Sequence, residues 1–466
     1  MFNKFLAFVF LLTLSCSFFS GADAQVLTLK DAVQTALANY GSIKAKTNYI
    51  SSAKALAKEA QREALPDFTV SAQQDYGTIN GINGPVSAFK AGAVASSGPA
   101  LSSGSWNAAF GALYLANINW DFYSFGKARQ KVNVYNSQVT LNESDLAQEK
   151  FQQQVRVAAA YLNLLAAQRL TVSQQNNLDR ASALRNVVVA RVKNGLNAGV
   201  DSSLANAEVS NARIALLRAR DYEHEQSNQL AILMGVTDTV FVLDTVFISR
   251  IPSSVNDTVQ AIQPTHPVLQ YYQNRIALSN ATAGYYHTFN YPTFSAFGIV
   301  QGRGSGFDYN YGAANPNAFT HNYWDGINPV RGNYLIGVGV TWNLTNPLRV
   351  QQQVLAQKFQ SKGLEDEYSL VNEQLANQLN LAAQKMRNAL AAYTEAPIQI
   401  KAAGDAYLQK NVLYKNGLSN IVDVTQALYA LNRAETDRDI AYNNVWEALL
   451  LKAAATGDFG IFINEF

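Results

Sequence analysis

Two periodicities divide the chain. A period of two runs through four segments of about eleven residues, 67–77, 112–122, 293–302 and 333–344. In the first, Phe68, Val70, Ala72 and Tyr76 alternate with Thr69, Ser71, Gln73 and Asp75. In the second, Tyr114, Ala116, Ile118, Trp120 and Phe122 alternate with Asn117, Asn119 and Asp121. The fourth sets Tyr334, Ile336, Val338, Val340, Trp342 and Leu344 against Asn333, Gly337, Gly339, Thr341 and Asn343. Segment 293–302 alternates less well, because Phe297 and Ile299 interrupt its polar face. This pattern predicts strands with one apolar and one polar face.

The other period is helical. Val155, Ala158, Leu162, Leu165, Arg169 and Val172 step by three and four, and so do Ala427, Leu431, Ala434, Arg438, Ala441, Val445 and Ala448. Alanine at so many inward positions predicts closely packed coiled-coil helices. Prolines are absent from 100–251, 348–396 and 398–466, where long helices can therefore run. From about Phe125 to Lys193 nothing interrupts the pattern, and a helix of that length is ~100 Å long, a rod or the wall of a tube. Pro397 predicts a kink or break in the last long helix.

The chain also repeats itself. Lys193, Asn194, Gly195 and Leu196 match Lys415, Asn416, Gly417 and Leu418, and Asp201 matches Asp423, at a constant offset of 222. Trp120 falls on Trp342 in the same register. A period this long is a duplicated half. Each half reads helix, strand, loop, strand, long helix, turn, helix. Gly195 and Gly417 suit the left-handed end of a helix, and Asp201 and Asp423 are placed to cap the returning one. The expected organisation is a first repeat over 25–235 with its hairpin tip near 193–201, a linker over 236–266, a second repeat over 267–458 with its tip near 415–423, and a tail over 459–466.

The amino terminus changes the setting. Lys4, the apolar run Phe5–Phe19 and the sequence Ala22-Asp23-Ala24 before Gln25 form a signal-peptide pattern over 1–24, with cleavage between Ala24 and Gln25. An uncleaved anchor and lipidation at Cys16 are the alternatives; Leu14 is bulky where a lipobox wants a small residue. Beyond this segment no uncharged apolar run approaches ~20 residues, so any crossing of a membrane must use strands. Eleven residues match the ~9–11 of a tilted transmembrane strand, and Trp106, Trp120, Trp324 and Trp342 lie in or beside these segments, where interfacial aromatics belong. A half-buried strand of a soluble sheet is the alternative for any one segment. Four strands cannot close a barrel, and an open edge in lipid leaves backbone groups unsatisfied, so copies must pool strands. Two copies give eight, a filled barrel, and three give twelve, with room for a pore.

Charge and chemistry narrow the function further. The 36 Lys and Arg against 34 Asp and Glu provide no basic surplus for nucleic acid. One Cys, four His and three Met supply no metal or thiol constellation, and no phosphate loop or nucleophile turn is present. Neither a catalytic residue nor a cofactor or metal site is expected, and energy for any transport must come from a partner.

The ordered set of these segments resembles the TolC-type outer membrane efflux family. The resemblance rests on Leu27 to Leu37, on Ala64-Leu65-Pro66-Asp67-Phe68, on Val155 to Leu165 with Tyr161, and on both Gly-Leu-x-x-x-Val-Asp tips. It implies an α+β membrane protein, a homotrimer in which each protomer gives four transmembrane strands to one shared twelve-stranded β-barrel. Long antiparallel coiled-coil hairpins would continue as a periplasmic tunnel. The implied function is the outer-membrane exit duct of a tripartite efflux or type I secretion system, working passively with a periplasmic adaptor and an inner-membrane pump. The resemblance makes Lys193, Asn194, Gly195, Leu196, Asp201, Lys415, Asn416, Gly417 and Leu418 the tips that dock the adaptor, and Asp423 part of the periplasmic entrance. Ser419 stands where an Arg can latch the closed state, and Gln426 where a second acidic residue can stand. Tyr76, Tyr114, Trp120, Tyr334 and Trp342 are the candidate membrane-interface aromatics. The alternative reading is a periplasmic coiled-coil adaptor or scaffold, which would need no such strands.

Overall fold

The computed structural model describes residues 26–81, 100–237, 240–244, 250–253 and 261–465. The signal-peptide pattern, with Cys16, Ala24 and Gln25, lies outside these residues. The elements in chain order are α1 (Leu29–Asn39), α2 (Gly41–Arg62), β1 (Asp67–Thr78), β2 (Ala108–Tyr123), α3 (Lys127–Lys193) and α4 (Gly199–Met234). The second half follows with α5 (Pro267–His287), β3 (Thr293–Ser305), a short α6 (Tyr323–Ile327), β4 (Arg331–Thr341), α7 (Asn346–Lys415), α8 (Ile421–Thr456) and α9 (Gly460–Ile463). No described helix is long and apolar enough to cross a membrane. Contacts divide the chain into two compact units.

One unit comprises Ser52–Val139 and Ala277–Lys362 and holds the sheet. The four strands are antiparallel in the order β1-β2-β3-β4. Their register joins the alternating residues into two faces. Phe68 pairs with Ile118, Ile118 with Gly298 and Gly298 with Ile336; one row on, Val70, Ala116, Val300 and Tyr334 line up in the same way. The opposite face carries Thr69, Asn117, Ile299 and Leu335, then Ser71, Leu115, Gln301 and Asn333. Phe297 interrupts that face because Gly337 opposite leaves room for it: a Cβ on Gly337 would lie 2.7 Å from the Phe297 ring. Val70, Tyr334, Ile336 and Val338 are all exposed, and within the described chain β1 and β4 each pair along one edge only.

The other unit takes the chain up to Ser51 with Thr140–Ile276 and Gly363–Phe466. Its main core gathers Leu29, Tyr161, Leu162, Leu164, Leu230, Trp446, Leu449 and Phe462. Tyr161 is fully buried; its hydroxyl donates to the Leu27 carbonyl at 2.8 Å and accepts from the Asp244 amide at 3.0 Å. Burial, foremost, pushes its phenol above the usual range. The alanine seam is close-packed, with Ala158, Ala212, Ala434 and Ala448 at or near zero exposure.

Two helical expectations require correction. Val172 is exposed, and the inward stripe of α3 passes instead through Ser173, Asn177, Ala181, Leu184 and Val188. Past Arg169 the stripe advances by four residues instead of three, as a helix of 3.6 residues per turn does when it drifts off a strict heptad. Pro397 does not break α7, which runs through it from Asn346 to Lys415. Its ring is exposed while Ala396 faces inward, so the ring does not disturb the packed side of the helix.

Candidate functional site at the helical tips

Both tips form for the same backbone reason. Gly195 and Gly417 have φ of 72° and 77°, and the chain reverses there with Leu196 N–H bonded to the Arg191 carbonyl and Leu418 N–H to the Leu413 carbonyl. Leu196 and Leu418 project into solvent, as do Val200 and Val422 one turn later. Lys193, Asn194, Lys415 and Asn416 are exposed around them.

The capping assignment differs from expectation. Asn420 caps α8, its side chain accepting from the Asp423 amide at 2.8 Å, and Ala198 occupies the cap position of α4 with no side-chain bond. Asp201 and Asp423 are instead acidic residues of the first turn, where a carboxylate meets the positive end of the helix dipole.

The tips are joined. Arg191 donates from Nε to Asn197 at 2.7 Å and from Nη1 to the Lys415 carbonyl of the other tip at 2.8 Å, with its guanidinium 5.4 Å from the Tyr414 ring centre. Asn197 in turn donates to Asp201 at 2.7 Å and to the Tyr414 hydroxyl at 3.3 Å. Tyr414 is buried with Leu184, Val188, Ala205, Ile421 and Val424, an apolar plug directly behind both turns.

Asp423 holds a charge pair. Lys410 Nζ and Ser419 Oγ each reach its Oδ2 at 3.0 Å. The bond from Lys410, then that from Ser419, hold its carboxyl below the ordinary carboxylate range. Ser419 thus contacts the acid itself, and Gln426 is exposed one turn farther along α8. Lys410 and Arg191 carried no motif; Lys410 is thirteen residues ahead of Asp423 and meets it only through the hairpin. Farther along, α3 and α8 are linked by Arg180 and Glu435, two bonds of 2.9 and 2.6 Å.

In the sheet-bearing unit the candidate aromatics separate by strand end. The Trp120 indole donates to the Ala64 carbonyl at 3.0 Å, and the Trp342 indole to the Asn290 carbonyl at 3.1 Å. Each acceptor lies two residues before the proline that opens a strand, so the same staple occurs in both repeats. Tyr76 lies at the other end, packed on Phe110 at 4.7 Å, and Tyr334 is exposed on the apolar face. Tyr114 is covered, its hydroxyl donating to the Ile327 carbonyl at 3.1 Å. Among the described residues no group of three or more His, Cys, Asp or Glu is arranged to hold a metal.

Comparison with known proteins bears on this geometry. Residues 32–236 match the sequence profile of the family described as outer membrane efflux protein. No curated protein matches the sequence. Among solved structures, the outer membrane protein VceC of Vibrio cholerae superposes with a TM-score of 0.71 at 15% identity, over 92% of this chain and 96% of that one. The CmeC outer membrane channel of Campylobacter jejuni gives 0.70 at 16% identity, over 92% and 85%. The open state of the MtrE outer membrane channel of Neisseria gonorrhoeae gives 0.67 at 16%, over 92% and 89%. At these identities the likeness is one of fold.

Proposed function

We propose that this chain, an outer membrane efflux protein by the match over residues 32–236, is the exit duct of a tripartite efflux or type I secretion system. The observation that carries this reading is the register of the sheet. It sets Phe68, Val70, Ile118, Val300, Ile336 and Val338 on one continuous face and leaves the outer edges of β1 and β4 open. An exposed apolar face on an open sheet is stable in lipid only if the edges are closed by further copies. Three protomers supply twelve strands, with the Thr69 and Ser71 face turned to a water-filled pore.

The helices carry the duct into the periplasm and the tips form its entrance. Leu196, Val200, Leu418 and Val422 are the apolar contacts offered to a periplasmic adaptor, rimmed by Lys193 and Lys415, and an inner-membrane pump supplies the energy. Around a threefold axis, Asp423 from each protomer favours cations at the mouth. Because Lys410 neutralises part of that charge, selectivity is modest.

The test is reconstitution. The protein extracted from outer membranes should run as a heat-modifiable trimer and conduct ions in planar bilayers, and Asp423→Lys should reduce the preference for cations. A soluble monomer without conductance refutes the reading.

A further inference from the structure

The segment between β3 and β4, residues 306–330, is folded into a compact body. Thr320 N–H bonds the Gly306 carbonyl at 2.8 Å and Asp308 N–H the Ala318 carbonyl at 2.9 Å. Phe307, Tyr311 and Phe319 pack together inside it, with Tyr311 buried. Its place on the sheet is specific. Tyr323 donates to Gln74 at 2.8 Å and stacks edge-on against Phe110, Tyr114 donates to the Ile327 carbonyl, and His321 meets the Tyr76 hydroxyl at 3.3 Å. A Cβ on Gly302 would lie 3.3 Å from Pro329, and one on Gly304 would lie 2.6 Å from the Gly326 carbonyl. Gln74, Tyr76, Phe110, Tyr114, Gly302 and Gly304 are all an even number of residues from Phe68, Ile118 or Gly298, and the paired register is unbroken across them. The body therefore lies on the apolar face, beyond the rows of Val70 and Val300, at the end of the strands away from the Trp staples.

From this placement we infer that residues 306–330 form a collar on the lipid side of the barrel, seated in the outer-leaflet interface. The inference rests on the reading of the strands as membrane-spanning. The composition fits a bilayer interface: six aromatic residues and no Lys or Arg in the segment, with Tyr309 87% and Trp324 71% exposed. Tyr and Trp favour the headgroup boundary, where one end of the ring is wet and the other apolar. The collar takes over where Gln74 interrupts the apolar column of β1 ahead of Tyr76. The occupant of its outward surface is lipid; at the strand tip the body also reaches the other face, where Asn107 donates to the Pro316 carbonyl at 2.9 Å and Gly306 approaches the buried Ala109.

The chain has one cysteine, Cys16, in the segment expected to be removed, so single labelling sites are readily made. Spin labels at Tyr309→Cys and Trp324→Cys, in trimers reconstituted into phospholipid vesicles, should collide with oxygen more than with a water-soluble nickel chelate. Val338→Cys reports the lipid face and Asn333→Cys the pore. We expect chelate accessibility at 309 and 324 at least ~3-fold below that at 333, at a depth shallower than 338. Gly304→Leu, which displaces α6, should raise accessibility at 324 toward the value at 333. Labels at 309 and 324 as wet as 333, with 338 still in lipid, would overturn the collar alone. A wet label at 338 would overturn the membrane reading and the collar with it.

Discussion

The Arg180–Glu435 pair ties α3 of the first hairpin to α8 of the second, and its strength can be worked from the structure. It is bidentate, with N–O distances of 2.9 and 2.6 Å, and the two side chains are 22% and 18% exposed. Exposed pairs are worth ~0.2–1 kcal/mol, and breaking a fully buried one costs ~3–5 kcal/mol. A fork–fork pair four-fifths covered falls between, at about 2 kcal/mol. Its surroundings are polar: Ser173 and Asn177 are buried on the same stripe, and Ser173 reaches Asn432 at 3.5 Å. Removing Arg180 thus leaves Glu435 charged beside groups that cannot replace a guanidinium.

Hydrogen exchange read by mass spectrometry on the reconstituted protein measures this directly, since local opening sets amide protection. At 1.4 kcal/mol per tenfold, Arg180→Ala should speed exchange of peptides around 180 and 435 by roughly 30-fold. Glu435→Ala should do much the same, and the double variant should be no faster than either single, because the pair acts once. Arg180→Lys should recover little, having lost the planar fork. Exchange within threefold of the parent, or single effects that simply add in the double, would refute the assignment.

Two further outcomes concern protonation. The Asp423 carboxyl is held low by Lys410 and then Ser419, so its charge persists through the ordinary carboxylate range and is lost only as pH falls through the depressed value. Cation preference in bilayers should follow that titration, Lys410→Met should move the loss to higher pH, and Asp423→Asn should abolish it; unchanged titration in Lys410→Met would dissociate the lysine from the site. His266 is buried, and burial lowers its pKa from the usual 6.5, so the stability it confers is complete above that value and is lost as pH falls below it. The thermal unfolding temperature of the protein should drop between pH 7 and 5 more steeply in the parent than in His266→Gln, and parallel curves would count against the burial.

The sequence was most informative where apolar pattern and backbone chemistry coincide. Period-two alternation located four strands, although β2 begins earlier, at Ala108, and β4 ends at Thr341, which leaves Trp342 and Leu344 beyond it; the Gly195 and Gly417 turns follow from the residue that adopts their φ at least cost. It failed where the inward residue is polar. Nothing in an apolar count distinguishes Ser173 and Asn177, which are buried, from Val172, which is not. The Asn420 cap was legible, since Asn is among the best N-cap residues, but the aspartate three positions on drew the assignment to itself. The collar left only faint signals, glycines at 302, 304 and 326, because alternation says nothing about which face a loop folds back upon.

The duplication also explains why the two tips differ in chemistry despite one geometry. Asn197 and Ser419 are equivalent by the 222-residue offset, and each donates to the aspartate four residues on, Asp201 or Asp423. The cations are not equivalent. Lys410 corresponds to Val188, which is fully buried in the plug behind the tips, and Arg191 corresponds to Leu413, which is exposed. A helix that buries Val188 cannot present a charge there, so the first tip holds its aspartate with an amide and sends Arg191 across to the second. The second tip has no inward demand at 410 and places a lysine against its own acid. Three differences between the halves therefore assign the fixed bridge to one hairpin and the titratable pair to the other. Of the two cation contacts, the Lys410–Asp423 pair is the one that can be lost by titration, because the Arg191 bridge ends on a backbone carbonyl that has no charge to lose.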